Sequence, residues 1–378
     1  MKTDSSRRNF LVAGLSLPVA GFANAPASQS SPTQAPRPAS PGTSAVRYRT
    51  LGRTGLKVST VGYGCMITSD SSVISRAVDL GITYFDTARG YQNGNNERMV
   101  GAALKGSRDK IVLSSKSEAK TAADATAELE TSLKELGTDR LDIWYMHSRD
   151  SAAAIPDELV TVWENAKKQG KIRHIGISTH NPNAIVDRVM EVGKFEVLLS
   201  TYSFAMGARN DPAYKRLTDA GIGLVAMKVM APAARAKKPD GPMAALKFVL
   251  RDGRFATTVP SMTDMEQLEM NIRAMSEPFT TVDEKLLARI DEDIRSLYCR
   301  MCHQCSGQCP KGVPVPDTIR YLSYADFYGQ FALGRERFLA LPEEVRAVRC
   351  SDCATCQVRC PNGVHVADRL MRAQKLFS

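Results

Sequence analysis

Eight of the nine cysteines stand in two runs near the end of the 378-residue chain. Each run has the spacing C-x₂-C-x₂-C-x₃-C and is followed by a proline. The two sets are Cys299, Cys302, Cys305 and Cys309, and Cys350, Cys353, Cys356 and Cys360. Closely spaced thiolates on a tight loop present several sulfurs to one iron–sulfur cluster. The pattern therefore predicts two [4Fe–4S] clusters.

The two runs also form an internal duplication. Each Cys-Pro is followed by a similar turn, Gly312-Val313-Pro314-Val315 in the first and Gly363-Val364-His365-Val366 in the second. The pattern resembles bacterial-type two-cluster ferredoxins, in which the fourth cysteine of each run binds the other cluster. The resemblance implies that Cys360 completes the first cluster site and Cys309 the second.

Two other interpretations of these cysteines are a disulfide framework and a zinc site. A disulfide framework is common in exported proteins, but it has no need of a duplicated spacing. Zinc usually takes two ligand pairs set well apart, whereas four cysteines crowd each run here. Iron–sulfur chemistry is favoured over both. The ninth cysteine, Cys65, is expected to be a small buried hydrophobic residue.

A second set of reactive residues lies in the first half of the chain: Asp86, Tyr91, Lys116 and His147. One reaction that these residue types can support is the reduction of a carbonyl group by hydride. The carbonyl oxygen gains negative charge as hydride reaches the carbon, so a proton donor must stand beside it. Tyr91 can donate this proton, Lys116 would lower the pKa of the tyrosine, and Asp86 would hold the lysine. His147 would orient the carbonyl oxygen or relay a proton. Taken singly, each residue also has an ordinary structural interpretation.

The elements that must position these residues are short apolar runs alternating with helical segments. After a hairpin at 48–58, the apolar runs are 59–64, 82–85, 111–115, 141–146, 175–178, 195–200, 223–227 and 255–259. Eight such units predict a (β/α)₈ TIM barrel, an α/β fold, with an open doubly wound sheet as the alternative. No G-x-G-x-x-G follows a run, so the usual dinucleotide-binding turn of that alternative is missing. The four reactive residues fall at or just after strand ends, where barrel enzymes carry their chemistry.

From about residue 48 to residue 274 the chain resembles the aldo-keto reductases. The features that carry the match are the opening segment 48–59, the Asp86–Tyr91 spacing with Glu97 beyond it, Tyr145-Met146-His147 and Gly176-Ile177-Ser178. The resemblance implies reduction of a carbonyl, or oxidation of an alcohol, with NAD(P)(H).

The same resemblance implies a nicotinamide site. It places Ser178 at the carboxamide, and Gln267 and Asn271 at the adenosine ribose and its phosphate. The basic residues that commonly meet a 2′-phosphate are absent, so the choice between NAD and NADP stays open. In this family a glutamine that hydrogen-bonds the nicotinamide and a tyrosine that stacks on it often follow the sixth strand. The segment 198–202 does not match this pattern, so Tyr202 is not assigned.

Residues 1–25 resemble a twin-arginine export signal. The pair Arg7-Arg8 precedes an apolar stretch and a small-x-small cleavage site, Ala23-Asn24-Ala25. A proline directly after that site disfavours cleavage, so an uncleaved signal acting as an anchor is an alternative. Residues 26–46 are mainly Pro, Ser, Thr, Ala and Gln, a composition that predicts a disordered linker. The chain is therefore expected to be periplasmic or exported.

Composition narrows the remaining classes. The formal net charge is +10, but the basic residues are scattered and not interleaved with aromatic residues, which disfavours nucleic-acid binding. No apolar stretch reaches the roughly 20 residues that span a bilayer.

The sequence thus predicts a barrel at 47–295 and a mainly helical, ferredoxin-like dicluster domain at 296–378. The expected activity is that of an iron–sulfur oxidoreductase acting on a small carbonyl or alcohol substrate, with a redox partner and the twin-arginine export machinery as further partners. The alternative is an exported electron-transfer or docking protein whose barrel is not catalytic.

Replacement of both Arg7 and Arg8 by lysine should block export, because the arginine pair is the feature that the export receptor reads. A folded fluorescent reporter fused after residue 44 would be followed by cell fractionation. The unchanged leader is the control, and undiminished export of the lysine variant would contradict a twin-arginine route.

Overall fold

The computed structural model of the chain describes residues 46–236 and 238–378. The export signal predicted at 1–25 lies outside the described residues, as does the linker predicted at 26–46 except for its last residue. That residue, Val46, is buried in the core.

Strands and helices alternate between residues 48 and 294, as the apolar pattern predicts. The strands are β1 Tyr48–Thr50, β2 Lys57–Ser59, β3 Tyr63–Gly64, β4 Tyr84–Asp86, β5 Val112–Ser117, β6 Leu141–Met146, β7 Ile172–Thr179, β8 Val197–Thr201, β9 Gly223–Met227 and β10 Phe255–Thr258. The helices of this part are α1 Ser71–Asp79, α2 Asn95–Ala103, α3 Ala122–Leu136, α4 Asp157–Lys168, α5 Pro182–Val192, α6 Asp211–Asp219, α7 Ala231–Arg235, α8 Gly241–Leu250, α9 Met265–Ala274 and α10 Thr281–Ile294.

Strands β3 to β10 form one sheet in which every neighbouring pair is parallel and the spatial order follows the chain. Parallel bridges from Val61 to Thr258 and from Gly64 to Ser261 join the first strand region to the last. The sheet is therefore a nearly closed (β/α)₈ barrel. This confirms the predicted fold and excludes the open doubly wound sheet.

The strand predicted at 59–64 is divided in the structure. Its first residue ends β2, which pairs with β1 in an antiparallel hairpin, and only Tyr63 and Gly64 pair with β4. The hairpin turn packs against the start of β9: a Cβ on Gly52 would lie 2.3 Å from the backbone nitrogen of Gly223, and Gly52 has φ +51°. Only glycine tolerates both conditions at this position.

The barrel has an inner and an outer core. Alternate strand residues such as Val112, Ile143 and Val225 fill the interior, while the opposite faces pack against the surrounding helices. In the outer core the Trp144 and Trp163 rings stack with centroids 3.8 Å apart. This packing fixes the strands and hence the positions of the residues at their ends.

The segment after α10 is helical, as predicted for the C-terminal domain. Its helices are α11 Val315–Tyr328, α12 Phe331–Leu339, α13 Glu343–Ala347 and α14 Val366–Phe377. Helix α11 contacts α12 and α14, and it also contacts α7 of the barrel. Within the described ranges no helix is both long and apolar enough to cross a bilayer.

Candidate active site and cluster sites

The four predicted tetrad residues meet at the carboxyl end of the barrel. Asp86 ends β4, Lys116 lies near the end of β5, and His147 directly follows β6. Tyr91 lies in the turn after β4, where its backbone nitrogen donates to the oxygen of Ala88. Because these strands are parallel neighbours in one sheet, residues far apart in sequence come to one edge.

Lys116 is the centre of this group. Its ammonium lies 2.5 Å from Oδ2 of Asp86, 2.6 Å from the backbone oxygen of Thr87 and 3.3 Å from the hydroxyl of Tyr91. Burial by itself lowers the pKa of Lys116, but Asp86 and Tyr91 outweigh it and the pKa is raised. Lys116 is therefore a charged ammonium that can stabilise negative charge on the tyrosine oxygen.

Tyr91 is an acid that keeps its proton at neutral pH. Burial raises its pKa to about 12, and the opposing effect of Lys116 is smaller. Lys116 lowers this pKa, as predicted from the sequence, but removal of the hydroxyl from water outweighs the lysine charge. Tyr91 is therefore a protonated phenol that can donate its proton.

His147 completes the group as a neutral imidazole. Burial lowers its pKa to about 3, although Glu118 acts in the opposite direction. Its Nδ1 lies 3.3 Å from Oε1 of Glu118, and its ring meets that of Tyr91 edge-on with centroids 6.2 Å apart. His147 therefore faces the same space as Tyr91 without carrying charge.

Sequence reasoning missed the residues that the C-terminal helices bring to this site. Arg337 of α12 lies 2.6 and 3.0 Å from the two carboxylate oxygens of Glu118. Arg320 of α11 lies 2.7 Å from Asp150. Asp150 also accepts a hydrogen bond from the backbone nitrogen of His180. Both arginines belong to the insert between the cysteine runs, and no motif in the sequence marks them.

Two cavities open beside the tetrad. The first, of about 420 Å³, is lined by Tyr91 and His147 from the barrel and by Arg320, Tyr321 and Tyr324 from α11. The second, of about 380 Å³, is lined by Asp86, Tyr91, Ser261 and Gln267 of the barrel together with Phe327 and Tyr328 of α11. One helix of the C-terminal domain therefore forms a wall of both cavities.

The three residues predicted to contact the nicotinamide cofactor lie in different surroundings. Gln267 lines the second cavity, and its Nε2 donates to Oγ1 of Thr263 at 2.8 Å. Asn271 is fully buried, and neither its amide nitrogen nor its amide oxygen has a hydrogen-bond partner among the described residues. Ser178 is buried at the end of β7 and accepts from the backbone nitrogen of Ser148 at 2.8 Å. Asn271 lies on α9 one turn after Gln267, and its unsatisfied buried amide fits a dinucleotide that would supply hydrogen-bond partners there.

Tyr202 contributes to the core. Its hydroxyl donates to Oδ2 of Asp252 at 2.7 Å, and its ring stacks on Phe255 with centroids 4.3 Å apart. Leu199 and Met227 line the second cavity from β8 and β9.

The eight cysteines of the two runs form two groups, and each group combines three cysteines of one run with the fourth cysteine of the other run. Burial raises the pKa of Cys299 to about 12, and its neighbouring thiols are Cys305, Cys302 and Cys360. Burial also raises the pKa of Cys350. Its neighbouring thiols are those of Cys353 and Cys356 from the same run and of Cys309 from the first run. This grouping is the crossed arrangement implied by the ferredoxin resemblance.

The cysteine environment suits clusters better than isolated thiols. All nine cysteines are free of disulfides. The backbone nitrogen of Met301 donates to the sulfur of Cys299 and the side-chain amide of Asn362 to that of Cys302, both at 3.3 Å. Of the eight cysteines of the two runs, Cys305 is buried and the others are half-buried. Closely grouped thiolates repel each other unless iron supplies positive charge, and N–H donors to sulfur are a feature of cluster sites.

Comparison with known families assigns the two parts of the chain. Residues 68–243 match the aldo/keto reductase family, and residues 298–367 match the 4Fe-4S dicluster domain. The chain therefore carries an aldo/keto reductase domain followed by a 4Fe-4S dicluster domain, which makes it an oxidoreductase of the aldo/keto reductase type.

Individual relatives resemble the barrel. The chain is 27% identical over 289 residues to an uncharacterized oxidoreductase, YqkF, of Bacillus subtilis, covering 63% of this chain and 94% of the relative. It is 27% identical over 303 residues to L-galactose dehydrogenase of Arabidopsis thaliana, covering 65% and 93%. Among solved structures, the holo form of aldo-keto reductase AKR11C1 from Bacillus halodurans matches with a TM-score of 0.57 at 25% identity, covering 65% and 96%.

Crossed ligation can be tested by comparing cysteine variants. If Cys360 belongs to the first group, the reduced Cys360→Ser variant should give the EPR spectrum of Cys302→Ser, and Cys309→Ser should give that of Cys353→Ser. Each variant should lose up to half of about eight irons per chain. Cys65→Ala is the control and should keep all of them. A Cys360→Ser spectrum matching Cys353→Ser would show that each run binds its own cluster.

Proposed function

We propose that this protein interconverts a small carbonyl compound and its alcohol at the Tyr91 site, and exchanges electrons with a redox partner through its C-terminal domain. The observation that carries the proposal is the shared wall: helix α11 of the dicluster domain lines the same two cavities as Tyr91 and Asp86. When bound, a nicotinamide would supply or take a hydride, and four-iron clusters would supply or take single electrons.

The residues of the chain provide the proton. During reduction the O–H bond of Tyr91 breaks as the carbonyl oxygen receives its proton, and the phenolate left behind is stabilised by the ammonium of Lys116. Asp86 holds that ammonium in place at 2.5 Å. Neutral His147 lies at the wall of the same cavity, where it can orient the substrate oxygen.

Aromatic side chains connect the first cysteine run to the second cavity. Tyr298, directly before Cys299, is fully buried and packs against Phe327 with ring centroids 5.0 Å apart. Phe327 and the next residue, Tyr328, both line the cavity. This continuous packing supports electron exchange between the cluster domain and the reacting groups.

The same proposal includes export. A twin-arginine route carries proteins that have already folded and taken up their cofactors, which suits a chain with two cluster sites. A nicotinamide used outside the cytoplasm would have to be bound before export. Otherwise the clusters would take its place as the electron source.

Replacing Tyr91 by phenylalanine should lower carbonyl reduction about 10²-fold or more, because it removes the proton donor and keeps the packed ring. Lys116→Met should act through the same proton. The double variant should therefore lose little more than either single variant, as expected for residues acting as one unit.

Turnover of a panel of aldehydes and quinones with NADH, NADPH or a chemical reductant would measure these effects. Tyr48→Phe, which removes a hydroxyl bonded to the oxygen of Gly81, is the matched control. Wild-type rates in Tyr91→Phe would show that Tyr91 is not the proton donor, whereas no turnover of any substrate by the wild-type protein would favour a non-catalytic electron-transfer or docking protein.

A further inference from the structure

Lys228 is a cation that the reaction described above does not use. It directly follows β9 and lines both cavities. Its backbone has φ +60°, a left-handed conformation that is costly for any residue other than glycine. The backbone at the end of β9 is therefore strained at the residue whose side chain lies between the two cavities.

The ammonium of Lys228 has aromatic neighbours but no counter-ion. Its nitrogen lies 5.0 Å from the ring centre of Tyr324 and 4.7 Å from that of Tyr328, both on α11. Across residues 46–236 and 238–378 no carboxylate pairs with it. Ring faces attract a cation but replace only part of its hydration.

The charged groups around Lys228 leave it unpaired. Arg320 and Lys116 are the nearby cations, and Asp150 is the nearby anion. Asp150 already lies 2.7 Å from Arg320 and accepts from Thr179 at 2.9 Å. Burial, together with the two cations, lowers the pKa of Lys228 to about 7.

We propose that Lys228 binds an anionic group, a carboxylate or phosphate, carried by the carbonyl or alcohol substrate. This inference rests on the proposed function of the same site and adds the substrate class to it. A group of this kind would supply the missing counter-charge. Lys228 and Tyr91 line one cavity of about 420 Å³, within the range of small-molecule sites, so one small molecule can contact both.

A matched pair of aldehydes tests the substrate class: 4-carboxybenzaldehyde, which is an anion, and its neutral methyl ester. The wild-type protein should show a kcat/KM for the acid at least tenfold above that for the ester. Lys228→Met should abolish this preference, and Lys228→Arg should retain it because the charge is kept. Lys120→Met, at the exposed rim of the cavity, is the control for loss of a lysine charge and should leave the ratio within twofold.

Binding of 4-methylbenzoate, followed by calorimetry, provides a readout that needs no turnover. Only the protonated lysine attracts the anion, so affinity should fall as pH rises through about 7, and be about tenfold weaker at pH 8 than at pH 6. His147 and His180 also face this cavity, but burial lowers their pKa values to about 3 and about 4, so both stay neutral in this range. Lys228→Met should bind weakly and without this pH dependence.

The outcomes separate the alternatives. If Lys228→Met weakens NADH or NADPH binding and keeps the acid-to-ester ratio, the lysine holds a dinucleotide phosphate and the proposal is wrong. If it lowers only the melting temperature, Lys228 merely clamps α11 to the barrel, and the proposal is again wrong. If the wild-type protein turns over neither this pair nor any member of the aldehyde and quinone panel, the proposed function fails, while calorimetry still decides whether the anion site exists.

Discussion

The buried ion pair between Lys116 and Asp86 is the interaction on which the candidate site depends. Transferring two charges from water to a protein interior costs several kcal/mol per ion, and only close pairing with further hydrogen bonds offsets this cost. Both conditions are met: the pair distance is 2.5 Å, Ser114 donates to Oδ1 of Asp86 at 2.7 Å, and the ammonium also reaches the oxygen of Thr87. Removing either partner would leave a buried charge next to Tyr91.

The pair is available only because the barrel holds neighbouring strands in register. Asp86 pairs with Ser114 across β4 and β5, and Lys116 pairs with Tyr145 across β5 and β6. A shift of one residue in either strand would turn the charged side chain to the opposite face of the sheet. The stacked tryptophans and apolar helices of the outer core, although remote from any chemistry, therefore maintain the geometry of the site.

The sequence predicted the part of this arrangement that follows from local pattern. Short apolar runs with a reactive residue after each are enough to place Asp86, Lys116 and His147 at one barrel edge, because parallel strands share an end. The division of the first strand was not predictable, since it depends on pairing with distant segments: Ser59 pairs with β1, whereas Tyr63 and Gly64 pair with β4.

The contributions of Arg320 and Arg337 could not be predicted from sequence for a related reason. They lie in the insert between the two cysteine runs, whose spacing indicates cluster ligation and contains no information about the surface on which the insert docks. Only the packing of α11 and α12 against the barrel brings these arginines to Asp150 and Glu118. The raised pKa of Tyr91 likewise depends on burial that this docking helps to create, because Tyr324 lines the same cavity.

The charged side chains around the cavities fall into two sets, ion pairs and unpaired cations. Three carboxylates each hold one cation: Asp86 holds Lys116, Asp150 holds Arg320, and Glu118 holds Arg337. Three further cations line the first cavity, namely Lys228, Arg149 and, at the exposed rim, Lys120, and no ion pair satisfies any of them within the described ranges. The excess charge at the site is therefore positive, and in the proposed reaction it lies where hydride transfer to a carbonyl would create negative charge on oxygen. Fixed charge of the opposite sign in a dry cavity stabilises that transition state more than water could, because it needs no reorganisation when the reaction occurs.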